Sequence, residues 1–131
     1  MATLDGPFPK EPTVGDYKKL RVWEAADRLV LAVYRETVNF PTTEHFGLRS
    51  QVRRAAVSVL SNIAEGCGRN TLPQLKQYTR FALGSANEAE YQLGLAGRLG
   101  FLDVAVADRL VAEVGEVKRM LAGLLHTKGR G

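Results

Sequence analysis

Cysteine is nearly absent from this sequence. Cys67 stands alone among 131 residues, so no disulfide can form within the chain. A domain without such staples must be held by its core, and unpaired cysteine fits a reducing compartment, so a cytoplasmic location is expected. Long apolar runs are missing too: none reaches the roughly 18 residues that a membrane span requires. The opening stretch, MATLDGPFPKEPTVG, has no basic segment followed by an apolar one, so neither a secretory leader nor a membrane partner is expected. Proline is scarce after the first residues. Pro7, Pro9 and Pro12 mark 1–15 as a flexible arm, and beyond Tyr17 only Pro41 and Pro73 remain. No stretch alternates apolar and polar residues as a half-buried strand would. Histidine is limited to His45 and His126, and neither follows a glutamate by three. Dimetal centres in helix bundles use Glu-x-x-His pairs, so no metal is expected. No P-loop, nucleophile elbow or dinucleotide fingerprint is present, and no catalytic residue or cofactor is expected.

What remains is ordinary globular material, 45% apolar and 24% charged with a net charge of +4, enough for one domain with a sizeable core. Its apolar residues recur every three or four positions. A first helix is expected over about 17–38, with Leu20, Trp23, Ala26, Val30, Val33 and Tyr34 as its stripe. A second is expected over 43–66, capped by Thr42 or Thr43, with Leu48, Val52, Ala55, Val59 and Ile63 inward. A third covers 72–100, opened by the capping box from Thr71 to Gln74 and stopped by Gly100. A fourth covers 104–126, capped by Asp103, with Leu110, Val114, Val117 and Leu121 inward. Four such helices joined by short loops predict an all-α fold, an antiparallel up-down-up-down four-helix bundle over 16–126 with a frayed tail at 127–131.

Two stretches do not fit a plain core pattern. In VLSNIAEGCGRN, Gln51, Ser58, Asn62 and Glu65 fall within about 60° of one another on the second helix, beside its apolar stripe. Polar groups at the edge of a core need partners, and Arg69 is a candidate for Glu65. The pattern reads as a hydrogen-bonded seam that fixes helix register or meets another subunit. A catalytic carboxylate would want a supporting His or Lys, and none has the spacing. Gly66 and Gly68 are expected to close the helix through positive φ, and Cys67 to be a small buried residue. The second stretch is the third helix, with Gly84, Gly94 and Gly97 in its interior. Each costs roughly 1 kcal/mol against alanine. Small residues let another backbone come close, which points to packing on more than one side and so to a neighbouring subunit.

NIAEGCGR followed by YTRFALGSANEAE and preceded by LRSQVRRAAVSV resembles the four-helix bundle proteins encoded in intervening sequences of bacterial large-subunit ribosomal RNA genes, with retroelement accessory proteins as more distant relatives. The resemblance runs from about Leu20 to Leu102 and covers Gln51, Arg54, Ser58, Asn62, Ile63, Ala64, Glu65, Gly66 and Arg69, then Ala82, Gly84, Ser85 and Glu88. It implies a bundle that assembles into a ring-shaped homopentamer, in a family whose members mostly have no established activity. In an antiparallel pairing the second-helix seam faces Ser85 and Glu88. One buried polar network is therefore expected among Gln51, Arg54, Ser58, Asn62, Glu65, Arg69, Ser85 and Glu88.

Two functions are weighed. The first is a non-enzymatic oligomeric scaffold or protein-interaction module. The second is sequence-independent binding of RNA or DNA, with Lys18, Lys19, Arg21, Arg49 and Arg53 as contacts, helped by Lys128 and Arg130. Acidic neighbours such as Glu24, Asp27 and Glu36 dilute the basic face of the first helix, and Phe46 is the one aromatic that stands out as a stacking surface. Glu113 and Glu116 read as a solvated face of the fourth helix.

Overall fold

The computed structural model describes residues 20–126 and Lys128. The arm at 1–15, Lys18, Lys19, Arg130 and most of the tail at 127–131 lie outside these residues. Four helices follow one another: α1, Arg21–Glu36; α2, Leu48–Cys67; α3, Leu72–Arg98; and α4, Val104–Leu125. A short 3-10 turn, Thr42–Glu44, precedes α2. Among the described residues no helix is long and apolar enough to cross a membrane.

Residue pairs across the helices fix their directions. Ser58 of α2 meets Ser85 of α3, while Arg69, just past α2, meets Tyr78 near the start of α3. Glu90 of α3 meets Lys118 of α4, and Gly97 lies against Ala107. Glu36, the last residue of α1, meets Arg109 near the start of α4. Across α2–α3 and α3–α4 one number rises as the other falls, and the end of α1 meets the start of α4, so the helices alternate up, down, up and down. Helix α1 packs on α2 and α4, and α3 packs on the same two. The bundle is thus a closed square with α1 and α3 on one diagonal.

The core interleaves alanines with larger aliphatic side chains. Ala26, Ala56, Ala82, Ala86 and Ala89 are fully buried, interleaved with Leu29, Val59, Ile63, Leu93, Leu110 and Leu121. The expected stripes of α2 and α4 are buried, with Val106 and Leu124 at the margin. The stripe of α1 is rotated from the expected one. Val22, Ala26, Leu29 and Val33 form its centre, Ala25 and Ala32 flank it, and Trp23 and Val30 pack at the edge. Tyr34 lies outside it, 42% exposed, because its ring serves instead as a platform for Arg53. Alanines at 25 and 32 carry little signal in a periodicity, which is why the larger residues drew the expected stripe toward them.

The helix ends also differ in part. Thr71 caps α3 as expected, its hydroxyl accepting from the Gln74 backbone N–H at 3.2 Å. Helix α3 closes through Gly100 at φ +80°: the Phe101 N–H reaches the Ala96 carbonyl and the Gly100 N–H that of Gly97, a Schellman ending in which glycine avoids the left-handed penalty. Helix α2 starts later than expected and is capped by neither Thr42 nor Thr43. Glu44 does this, its Oε1 accepting from the Leu48 N–H at 2.9 Å. Asp103 precedes α4 but makes no side-chain capping bond. Gly66 and Gly68 do not use positive φ. Gly66 lies within α2, where a Cβ would come 2.9 Å from the Tyr78 Cβ, so its role is to let α3 approach.

Gly97 is a second such contact: a Cβ there would stand 2.7 Å from the Ala107 Cβ, whereas one on Gly94 would meet nothing within 4 Å. Gly97→Ala should therefore lower stability by about 1–2 kcal/mol although alanine is the better helix former. Gly94→Ala should raise it by about 0.5–1 kcal/mol. Urea unfolding followed by circular dichroism measures both.

Candidate functional site: the α2–α3 face

The seam predicted on α2 lies along its border with α3. The Ser58 and Ser85 hydroxyls are 2.8 Å apart, and the Asn62 side-chain amide donates to the Ser58 carbonyl at 2.9 Å and to its hydroxyl at 3.1 Å. One turn further, Arg69 donates to Glu65 at 2.6 Å and to the Tyr78 hydroxyl at 2.8 Å, with its guanidinium 5.0 Å from the Tyr78 ring. This second group is more exposed, and an exposed ion pair of this kind contributes little to stability. The glycine-rich ending of α2 thus delivers Arg69 back onto both helices.

The expected single buried network is two separate groups in this chain. Ser58, Ser85 and Asn62 form one; Arg69, Glu65 and Tyr78 form the other. Gln51, Arg54 and Glu88 join neither and are exposed, as is Glu65. The reason is geometric: these side chains lie on the solvent side of the α2–α3 border, beyond the reach of the Ser58–Ser85 contact. They line a shallow groove of about 420 Å³ floored by Ala55 and Ser58 and closed by Gln92. The Gln92 Oε1 is buried there with no hydrogen-bond partner. Arg54 and Glu88 face the same groove without forming an ion pair. Along α3, Glu88 of the groove falls on one line with Phe81, Gly84 and Tyr91 at helical spacing. Phe81 is 48% and Tyr91 62% exposed, and a Cβ on Gly84 would meet nothing. Gln92 and Tyr78 were not expected in the site; the signal available for Gln92 was its place one turn beyond Glu88.

The basic residues are dispersed. Arg21 opens α1, while Arg49 and Arg53 belong to the first turns of α2. Because α1 and α2 run in opposite directions, Arg21 is separated from them by the length of α1, about 24 Å for 16 residues. Arg53 is occupied. Its Nε donates to the Thr37 hydroxyl at 2.9 Å, its Nη2 to the Tyr34 carbonyl at 3.1 Å, and its guanidinium lies 4.5 Å from the Tyr34 ring. Thr37, wholly buried, donates in turn to the Val33 carbonyl at 2.8 Å. Arg53 thereby satisfies the carbonyl end of α1 and adds a cation where the helix dipole favours one. Burial, and then the charge of Arg49, hold its pKa below the usual arginine value, against a smaller opposing effect of Tyr34. His45 lies against the Phe40 carbonyl at 3.1 Å. Among the described residues no three His, Cys, Asp or Glu side chains gather as a metal site requires.

The profile of a family described as 23S rRNA-intervening sequence protein matches residues 18–123. The chain belongs to that family. No curated protein matches it. Among solved structures, a protein of unknown function from the S23 ribosomal protein family of Bacteroides thetaiotaomicron superposes with a TM-score of 0.72. The two are 22% identical, and the match covers 81% of this chain and 99% of the other. At that identity the likeness is one of fold.

A structural task for Arg53 has a direct check. Arg53→Lys keeps the charge but loses the planar fork that serves Thr37 and Tyr34 together. It should cost about 1–2 kcal/mol in urea unfolding, whereas Arg49→Lys should leave stability within about 0.5 kcal/mol of the parent.

Proposed function

We propose that this member of the 23S rRNA-intervening sequence protein family is a non-enzymatic interaction module whose copies join through the α2–α3 face. The observation that carries the reading is the exposed row of Phe81, Gly84 and Tyr91 on α3, beside a groove where, among the described residues, Arg54 and Glu88 make no ion pair. A second chain laid on the groove would bring opposite charges to Arg54 and Glu88. Exposed Phe81 and Tyr91 beside side-chain-free Gly84 give that chain an apolar, closely approachable surface. The family resemblance agrees, since it implies a ring of five. Catalysis has little support, because the seam pairs hydroxyls, amides and an ion pair with no nucleophile beside a base.

A second reading, binding of RNA or DNA without sequence preference, has one feature in its favour. Phe46, 99% exposed, stands just ahead of α2 and three residues before Arg49. An open aromatic near a cation can stack a base over a bound phosphate. The dispersal of the other basic residues and the engagement of Arg53 weigh against it.

Light-scattering mass in solution tests the first reading. Five chains of 14.4 kDa give about 72 kDa, and that mass should persist on dilution and be unchanged by added mixed-sequence RNA. Tyr91→Glu should lower it while the helical content is kept. A wild-type protein that stays at the mass of one chain would overturn the reading. A mass that rises with RNA and falls back steeply with salt would favour the second.

A further inference from the structure

The opposite edge of the bundle carries a different surface. Helices α1 and α4 are separated there by an open groove of about 550 Å³. Ala25 and Ala32, both of α1, form its floor. Arg28 and Arg35 stand along its α1 lip, seven residues or about 10.5 Å apart along the axis. Leu31 lies between them in sequence and is 58% exposed. Along the other wall the charges are already matched. Arg109 reaches Glu36 at 3.0 Å and Glu113 at 3.7 Å, and Glu116 pairs with Arg119. Among the described residues Arg28 and Arg35 have no such partner, so the uncompensated charge of the groove is positive and confined to the α1 lip. Just beyond that lip, Tyr34 and Val38 extend the exposed apolar line from Leu31 at helical spacing.

We propose that the α1–α4 groove is a docking site for an amphipathic helix of a partner protein, one that carries acidic residues along one edge. Each element of the groove fits that occupant. The alanine floor allows a third helix to approach closely, as small residues do wherever helices pack tightly. Leu31 and its apolar neighbours receive the hydrophobic stripe, in the helix-in-groove mode. Arg28 and Arg35, two turns apart, match carboxylates two turns apart on a helix running alongside. A nucleic-acid strand fits less well, because Leu31 offers no aromatic surface for a base and only two unmatched cations are available for its phosphates. The inference goes beyond self-association through the α2–α3 face and uses none of its residues.

Two fluorescent helical peptides of about 16 residues, with the same apolar stripe, test it by anisotropy against the full chain. One has glutamates and the other lysines along the edge beside the stripe. The glutamate peptide should bind saturably, and the lysine peptide should bind at least about tenfold more weakly. The Arg28→Glu/Arg35→Glu variant should reverse that preference while its circular dichroism and solution mass match the parent. Leu31→Asp should weaken both peptides. The proposal is overturned if the glutamate peptide shows no binding to about 1 mM, or if its affinity is unmoved by the double charge reversal. It is also overturned if a mixed-sequence RNA displaces the peptide and loses its own binding in the same variant, since the groove would then read phosphate. Retention of the parent mass separates any failure here from a failure of the α2–α3 reading.

Discussion

The close approach of α3 to its two neighbours is the constraint on which the rest of this structure depends. It is enforced at Gly66, where a Cβ would run into Tyr78, and at Gly97, where one would run into Ala107. Between these points small residues recur among the larger aliphatics: Ala55, Ala82, Ser85, Ala86, Ala89 and Ala96 are all buried. Each buried alanine gains less than a leucine in its place would. The core gains instead from helix backbones close enough for continuous contact, which is why the Ser58–Ser85 hydrogen bond can form at all. The polar seam is therefore a consequence of the packing distance.

Helix α1 is attached in a different way. It packs less extensively than α3 does, and its C-terminal end is tied to α2 by Arg53, through Thr37 and the Tyr34 carbonyl. Phe40 and Phe101, with ring centres 5.6 Å apart, close the same end of the bundle. The looser seating of α1 is what leaves the α1–α4 groove open. The bundle thus has two unlike edges. One is a tight α2–α3 border with unsatisfied polar groups on its outer side, and the other is an open α1–α4 groove with an unmatched pair of arginines.

Much of this was legible in the residues. The stripe of α2, from Leu48 to Ile63, and the Thr71–Gln74 cap of α3 stand where periodicity and capping chemistry put them. So does the Gly100 ending, because left-handed backbone leaves few residue choices. The adjacency of Ser58, Asn62 and Ser85 followed from angular position plus antiparallel pairing. Other features were out of reach for definite reasons. Alanine is nearly silent in a hydrophobic pattern, so the face of α1 was placed too close to Trp23 and Tyr34. A glycine looks the same whether it serves a turn or a contact, so Gly66 was assigned to positive φ. Arg53 reads as surface charge because Thr37, its partner, is 16 residues away, just past the end of α1. No local pattern records that pairing. The outer residues of the seam, Gln51, Arg54 and Glu88, were expected to be buried, yet within one chain they face outward.

That outward-facing set is the centre of the account, because the proposed association through the α2–α3 face would cover it. The direct measurement is solution mass, by sedimentation equilibrium, of Arg54→Glu, Glu88→Arg and the variant carrying both. If Arg54 of one copy meets Glu88 of the next, each single reversal should lower the mass and the double reversal should restore it toward the parent's. Single reversals that leave the parent mass untouched would contradict the account.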